Sequence, residues 1–159
     1  MDQQKYASDL VYPEISVEKN IGESKLLLPS FGGNSGEITS IMTYSFQHLV
    51  CPLKEIGDIM KGISFIEMHH MELLGEAIVA LGGYPVIGGR TYWNGSHVNY
   101  TLDTKKFLRQ NILAEETAIL GYERTILNLS QDPLKQLVER IIIDEEIHIK
   151  IFKDLLQTI

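Results

Sequence analysis

The sequence predicts an all-α fold in which four helices form two hairpins, joined by a long crossover and preceded by an irregular N-terminal arm. From about residue 34 onward, apolar residues recur with the period of a helix. Helix-breaking residues interrupt this period at Cys51-Pro52, at residues 82–103 and at residues 130–133. The second half of the helical region also repeats residues of the first half at a constant spacing.

Composition indicates one folded domain that is neither a disulfide scaffold nor a nucleic-acid binder. The 159 residues are 44% hydrophobic, include a single cysteine and carry a net charge of −7. An excess of acidic residues disfavours binding to a phosphate backbone. We expect no membrane span and no secretion signal, because no apolar run reaches about 18 residues and no basic start precedes an apolar stretch. We therefore expect a cytoplasmic protein.

The arm and the helices are assigned from local signals. Residues 1–33 contain Pro13, Pro29 and Gly32-Gly33 without a sustained period, and we interpret them as an arm on a bundle formed by residues 34–159. Caps, glycines and prolines mark the predicted helix ends. In chain order these signals are Asn34 or Ser35 as cap of the first helix, Gly82-Gly83 as end of the second, Asp103 as cap of the third, and Asp132-Pro133 as start of the fourth.

The internal repeat relates one hairpin to the other. A shift of 78 positions places Glu37, Tyr44, Glu67 and His70 on the identical residues Glu115, Tyr122, Glu145 and His148. The midpoint between the two glutamates of each hairpin is residue 52 or residue 130, and both fall in predicted turns. The two glutamates of each hairpin should therefore face each other across it.

Charged residues occupy positions where the helical period requires apolar side chains. In the second and fourth helices, a Glu and the His three residues later interrupt the apolar stripe, and the first and third helices each direct one Glu inward. These inward residues are Glu37, Glu67, His70, Glu115, Glu145 and His148. We expect four carboxylates and two imidazoles to converge at one level of the core. Glu37 has a second interpretation, as part of a capping box with Asn34.

Four buried carboxylates need compensation, because each would otherwise cost several kcal/mol or become protonated. Lys and Arg are absent from the inward stripes, whereas two divalent cations would balance the charge and bind the imidazoles. Carboxylate and imidazole ligands suit iron or manganese. One Glu from each of two helices plus Glu-x-x-His from the other two is the known pattern of di-iron and di-manganese bundles. The sequence therefore predicts a dinuclear metal site that would hold either iron or manganese.

The sequence also resembles the ferritin-like superfamily over roughly residues 32–158. The segments ISFIEMHHMELLGEAI and RIIIDEEIHIKIF are similar to the Glu-x-x-His helices of rubrerythrin and bacterioferritin, and SGEITSIMTYSFQ and AEETAILGYERTI to their partner helices. The arm segment YPEISVEKN, followed by FGGNSGEITS, resembles manganese catalase and its spore-coat relatives.

The resemblance implies a role for each matched residue. By this resemblance, the six inward residues would be the metal ligands. The pair that bridges the two ions would be either Glu67 and Glu145 or Glu37 and Glu115. Tyr44 and Tyr122 would donate hydrogen bonds to ligands, and Asp144 would orient a ligand histidine. Met68 occupies the place of the haem-ligating methionine of bacterioferritin, but methionine on a helix is more often a packing residue. We therefore expect no haem.

Three functions agree with this resemblance. The favoured one is a rubrerythrin-like oxidoreductase with two iron ions per chain that reacts with peroxide or dioxygen. Because the chain has one cysteine, its electrons would come from a separate donor protein. Only 11 residues follow His148, which favours a homodimer over a hollow shell. The alternatives are a bacterioferritin-like ferroxidase or iron store, and a manganese catalase-like enzyme that disproportionates peroxide.

Overall fold

The computed structural model describes residues 5–88 and 92–159. Its α-helices, in chain order, are α1 (Ile21–Gly32), α2 (Glu37–Val50), α3 (Lys54–Ala80), α4 (Thr104–Ile126) and α5 (Asp132–Thr158), with a short 3₁₀ helix (Gly95–His97) in the crossover between α3 and α4. Helix α2 packs on α3 and helix α4 on α5. The predicted four-helix bundle of two hairpins is confirmed.

Helix α1 lies within the segment for which the sequence showed no sustained period. It begins where the side chain of Asn20 accepts a hydrogen bond from the backbone N–H of Glu23 at 3.2 Å. Its apolar residues Leu27 and Phe31 are buried in the core. The polar Glu23 and Ser24 are buried as well, and Pro29 lies inside the helix. Because polar residues and a proline interrupt the apolar positions of α1, its helical period is not evident in the sequence. The arm boundary at residue 33 stays a prediction.

The helix ends agree with most of the predicted signals. Helix α3 ends at a left-handed Gly82 with φ of 86°, a conformation that glycine adopts without strain. Asp103 caps α4 by accepting a hydrogen bond from the N–H of Lys106 at 2.7 Å. Two caps differ from expectation, because α2 is preceded by Gly36, and α5 by Gln131, without a side-chain cap hydrogen bond.

The core consists of two apolar clusters with a polar layer between them. The first cluster includes Leu74, Leu81 and Val138, and it also receives α1. The second includes Met60, Phe107 and other residues toward the opposite end of the bundle. Among the described residues, no helix is both long and apolar enough to cross a membrane. The charged residues singled out from the sequence lie in the layer between these clusters.

Candidate metal centre

The structure brings all six inward residues into one buried layer, where none is more than 3% exposed. Their donor atoms form two groups, each with all atoms within 4.8 Å of one another. The groups are Glu37, Glu67, His70 and Glu145, and Glu67, Glu115, Glu145 and His148. Each group thus has one Glu and one His of its own and shares two glutamates with the other. Two adjacent ions could occupy such an arrangement.

Both imidazoles direct Nδ1 into this layer and Nε2 away from it. His148 Nδ1 lies 3.0 Å from Glu67 Oε1 and 3.0 Å from Glu145 Oε2. His70 Nδ1 lies 3.3 Å from Glu145 Oε1 and 3.5 Å from Glu67 Oε2. Each histidine comes three residues after a glutamate on the same helix, so that the two side chains share one helix face. The shared glutamates therefore lie between the two Nδ1 atoms.

The layer strongly perturbs the protonation of its members. Burial, reinforced by the neighbouring Glu67 and Glu145, raises the pKa of Glu37 and of Glu115 well above the usual value. Burial disfavours an imidazolium, but the surrounding carboxylates outweigh it and raise the pKa of both histidines. Burial likewise opposes charge on Glu67, yet the adjacent histidines hold its pKa below the usual value. The layer therefore attracts positive charge.

Buried polar atoms that lack a well-formed hydrogen bond indicate that these residues fit metal ions. Among the described residues, Glu67 Oε1, Glu67 Oε2 and His70 Nδ1 are buried and make no well-formed hydrogen bond. Native proteins seldom leave buried polar atoms in this condition. Carboxylate oxygens and imidazole nitrogens are suitable ligands for manganese and iron, and two divalent ions would neutralise four carboxylates. The donor set thus fits the expected dinuclear metal centre.

Two buried tyrosines connect the hairpins through the layer. The Tyr44 hydroxyl in α2 donates a hydrogen bond to Glu115 Oε1 in α4. The Tyr122 hydroxyl in α4 donates to Glu37 Oε1 in α2. The contacts are related by the 78-residue repeat, and each one holds a glutamate of the opposite hairpin. The role of both tyrosines as donors to metal ligands, which the resemblance implies, stays a prediction.

Asp144 contacts the outward nitrogen of one histidine, with His70 Nε2 at 3.1 Å from Asp144 Oδ2. Arg140 forms an ion pair with Asp144 at 2.7 Å, and the Tyr12 hydroxyl donates to Asp144 Oδ2 at 2.5 Å. These contacts outweigh burial and hold the pKa of Asp144 below its usual value. Burial, with Asp144 beside it, raises the pKa of Tyr12 to about 12.

Sequence analysis did not identify Tyr6, Tyr12 or Arg140 as part of this region. The spacing of four residues between Arg140 and Asp144 in one helix could have indicated the ion pair. Tyr6 contributes through its backbone carbonyl, which accepts from His148 Nε2 at 3.0 Å. No side-chain pattern reveals a carbonyl contact of this kind.

A cavity of about 910 Å³ reaches the layer from the protein surface. The exposed residues Lys25 and Arg124 line its outer part, and Glu37, Glu115 and Glu145 line its inner part. The cavity therefore gives small molecules access to the carboxylates.

Met68, the position that the resemblance compares with a haem ligand, lies outside this layer. It is 50% exposed and belongs to neither donor group.

Comparisons with known proteins agree with this architecture. The chain superposes on KatB, a manganese catalase from Anabaena, with a TM-score of 0.84 and 24% identity over 95% of this chain and 78% of that one. The Rhodobacter capsulatus bacterioferritin gives a TM-score of 0.77 with 18% identity, over 89% of this chain and 88% of that one. The Desulfovibrio desulfuricans bacterioferritin gives 0.73 with 22% identity, over 87% and 82%.

These structural similarities establish the ferritin-like fold, and a sequence family narrows the relationship. No curated protein sequence matches the chain. Residues 5–86, just over half of the chain, match the family described as manganese containing catalase. This range includes residues 5–33 of the arm with α1, and the first hairpin with its Glu-x-x-His pair. The protein therefore belongs to the manganese containing catalase family and has the ferritin-like fold.

Proposed function

We propose that this protein disproportionates hydrogen peroxide at a dinuclear manganese centre. The observation that carries the proposal is the pair of donor groups that share Glu67 and Glu145, in a chain of the manganese containing catalase family. Family membership favours this function over the rubrerythrin-like oxidoreductase to which the helical segments first pointed.

In this proposal each ion has one glutamate and one histidine of its own. Glu37 and His70 would hold one ion, Glu115 and His148 would hold the other, and Glu67 and Glu145, which belong to both donor groups, would contribute to both. The contacts of both Nδ1 atoms with the shared carboxylates support this assignment. It selects one of the two bridging pairs that the sequence left open.

Two manganese ions, each changing by one oxidation state, would supply and accept the electron pair that passes between successive peroxides. The reaction converts two hydrogen peroxide molecules into two waters and one dioxygen, so it needs no external reductant. The hydroxyls of Tyr44 and Tyr122 each hold one carboxylate oxygen of Glu115 and Glu37, so the second oxygen of each carboxylate would serve a metal ion. The cavity opens on the carboxylate side, whereas Tyr6 and Asp144 contact the outward nitrogens of the histidines. Peroxide therefore approaches from the carboxylate side.

The test is to load metal-free protein with Mn²⁺, count bound manganese, and record dioxygen release from peroxide without a reductant. We expect two manganese ions per chain and one dioxygen for every two peroxides. Glu145→Gln should abolish both, because it removes a shared carboxylate. The matched control is Glu146→Gln, which changes the exposed adjacent residue and should retain both. A folded wild-type protein that binds no manganese would refute the proposal.

The same donor set accepts iron, so a rubrerythrin-like peroxidase or a bacterioferritin-like ferroxidase is the second candidate function. As a peroxidase, the protein would reduce peroxide to water and draw electrons from a separate donor. Fe²⁺-loaded protein would then be oxidised by peroxide without releasing dioxygen, whereas rapid oxidation of excess Fe²⁺ by dioxygen would indicate a ferroxidase. A homodimer and a cytoplasmic location stay predictions, to be checked by light scattering and by cell fractionation.

A further inference from the structure

The N-terminal segment of residues 6–12, which we call the strap, lies against the outer side of the metal layer. The Tyr6 carbonyl oxygen lies 3.0 Å from His148 Nε2. The Ser8 N–H donates to Asp144 Oδ1 at 2.7 Å, and Asp144 Oδ2 lies 3.1 Å from His70 Nε2. One short segment thus reaches the outer nitrogen of one histidine directly and that of the other through Asp144.

Helix α5 binds the strap through Arg140, which is only 5% exposed. Its Nε donates to the Leu10 carbonyl at 2.7 Å, and its second terminal nitrogen donates to the Ser8 carbonyl at 2.8 Å. Its guanidinium also lies 4.2 Å from the centre of the Tyr12 ring, within the range of a cation–π interaction. The strap is therefore held by several directed contacts to one buried cation.

The repeat shows that this arrangement is specific to one half of the bundle. Seventy-eight positions before Arg140 and Asp144, the first hairpin has Gly62 and Ile66. The Tyr6 ring occupies the space above Gly62, because a Cβ there would lie 2.1 Å from a ring carbon. The half without the arginine and aspartate therefore provides room for the strap itself.

The two contacts also determine where each imidazole carries its proton. A carbonyl oxygen only accepts hydrogen bonds, so His148 must carry a proton on Nε2. Ionised Asp144 makes the same demand on His70. A neutral imidazole with its proton on Nε2 has its lone pair on Nδ1, which faces the shared carboxylates. A carboxylate makes its histidine a more basic ligand than a neutral carbonyl does.

We propose that the strap is a positioning element of the metal centre, which fixes both histidines for Nδ1 ligation through unlike acceptors and makes the two metal positions chemically inequivalent. The inference rests on the proposed dinuclear site and extends it to Tyr6, Tyr12 and Arg140. At the metal position of His70, the imidazole is the more basic ligand, because its acceptor is the Asp144 carboxylate. At the metal position of His148, the orientation of the imidazole depends on the location of the Tyr6 carbonyl.

The test follows the Nε2–H protons of both histidines by NMR in protein labelled with ¹⁵N-histidine and loaded with Zn²⁺, a diamagnetic ion that accepts these ligands. Wild-type protein should show two protected signals at different shifts, assigned through the loss of one in His148→Gln. Gly62→Ala displaces the Tyr6 ring and should shift or broaden the His148 signal alone. Its control, Gly121→Ala, adds a methyl group with nothing within 4 Å and should leave both signals unchanged.

Tyr12→Phe should have the complementary effect. It removes the hydroxyl that donates to Asp144 and keeps the ring, so that only the His70 signal should shift. Tyr84→Phe, at a tyrosine that is 82% exposed, is the control and should change neither signal. A chain that starts at Ala7 lacks Tyr6 but keeps the Ser8 amide that donates to Asp144, and it provides a second test of the His148 contact without a new side chain in the core.

Manganese affinity supplies a second measurement, made by competition with a chelator. Removal of a group that orients a metal ligand typically lowers affinity by about 10- to 100-fold. We expect this loss for one ion per chain in Gly62→Ala, with the other ion retained. Wild-type protein that binds no divalent metal would refute the proposed function. Wild-type protein that binds two ions, but whose histidine signals and affinities stay unchanged in Gly62→Ala and Tyr12→Phe, would refute the role of the strap alone.

Discussion

Tyr122→Phe removes one hydroxyl from the metal layer and leaves the packing of the ring intact. Tyr122 is 2% exposed, and its hydroxyl donates to Glu37 Oε1. In metal-free protein the raised pKa of Glu37, caused by burial and the nearby Glu67 and Glu145, favours a neutral carboxyl. Its hydrogen bond is then of ordinary strength, and the loss should be about 1 kcal/mol.

Metal binding should increase this loss, because a ligand carboxylate is ionised. A hydrogen bond to a charged group contributes about 1.5–3 kcal/mol, which corresponds to a melting temperature lower by about 3–12 °C in a domain of this size. We would measure urea and thermal unfolding of Tyr122→Phe by circular dichroism, with and without saturating Mn²⁺. The control is Tyr84→Phe, whose side chain is 82% exposed. A loss below about 0.5 kcal/mol in both states, or a smaller loss with Mn²⁺, would contradict the reasoning.

Three further predictions concern stability. The surroundings raise the pKa values of His70 and His148 above the usual 6.5, and those of Glu37 and Glu115 above the usual 4.5, in the folded state. The folded metal-free protein therefore holds protons that the unfolded chain releases, so its melting temperature should fall above about pH 5, and more steeply above about pH 6.5. Saturating Mn²⁺ should reduce this pH dependence. Gln47→Leu leaves Asn111 without the two hydrogen bonds of 2.9 and 2.7 Å that pair their amides; it should cost about 1–3 kcal/mol in urea unfolding, and adding Asn111→Leu should recover part of that loss. Glu23→Ala removes the acceptor of the N–H of Ser130 at 2.5 Å and should cost about 1.5–3 kcal/mol, while Glu18→Ala at an exposed position should change the unfolding free energy by less than about 0.5 kcal/mol.

The sequence predicts the bundle because helical periodicity and the 78-residue repeat are properties of residue order. The same order places Glu67 and His70 on one face of α3, and Glu145 and His148 on one face of α5. Their convergence then follows from the hairpin geometry, and the structure places these residues together. Their role as ligands stays a prediction until metal is measured.

Other features could not be predicted from the sequence, for physical reasons. Helix α1 buries the polar Glu23 beside Leu27, because Glu23 accepts hydrogen bonds from the turn between α4 and α5. Periodicity alone does not detect a buried polar group satisfied by a distant segment. The Tyr6 carbonyl likewise belongs to the backbone, so its contact with His148 depends on the chain path rather than on residue type.

The crossed hydrogen bonds of Tyr44 and Tyr122 have a consequence for how the molecule can be divided. Each hairpin supplies the donor that supports a glutamate of the other, and each donor group draws on both hairpins. A polypeptide that ends after α3 would keep Glu37 but lack its donor Tyr122, and one that begins before α4 would keep Glu115 but lack its donor Tyr44. We expect fragment complementation between them, with neither fragment retaining manganese alone and the reassembled pair binding it. Metal retention would then report directly on the association of the two halves.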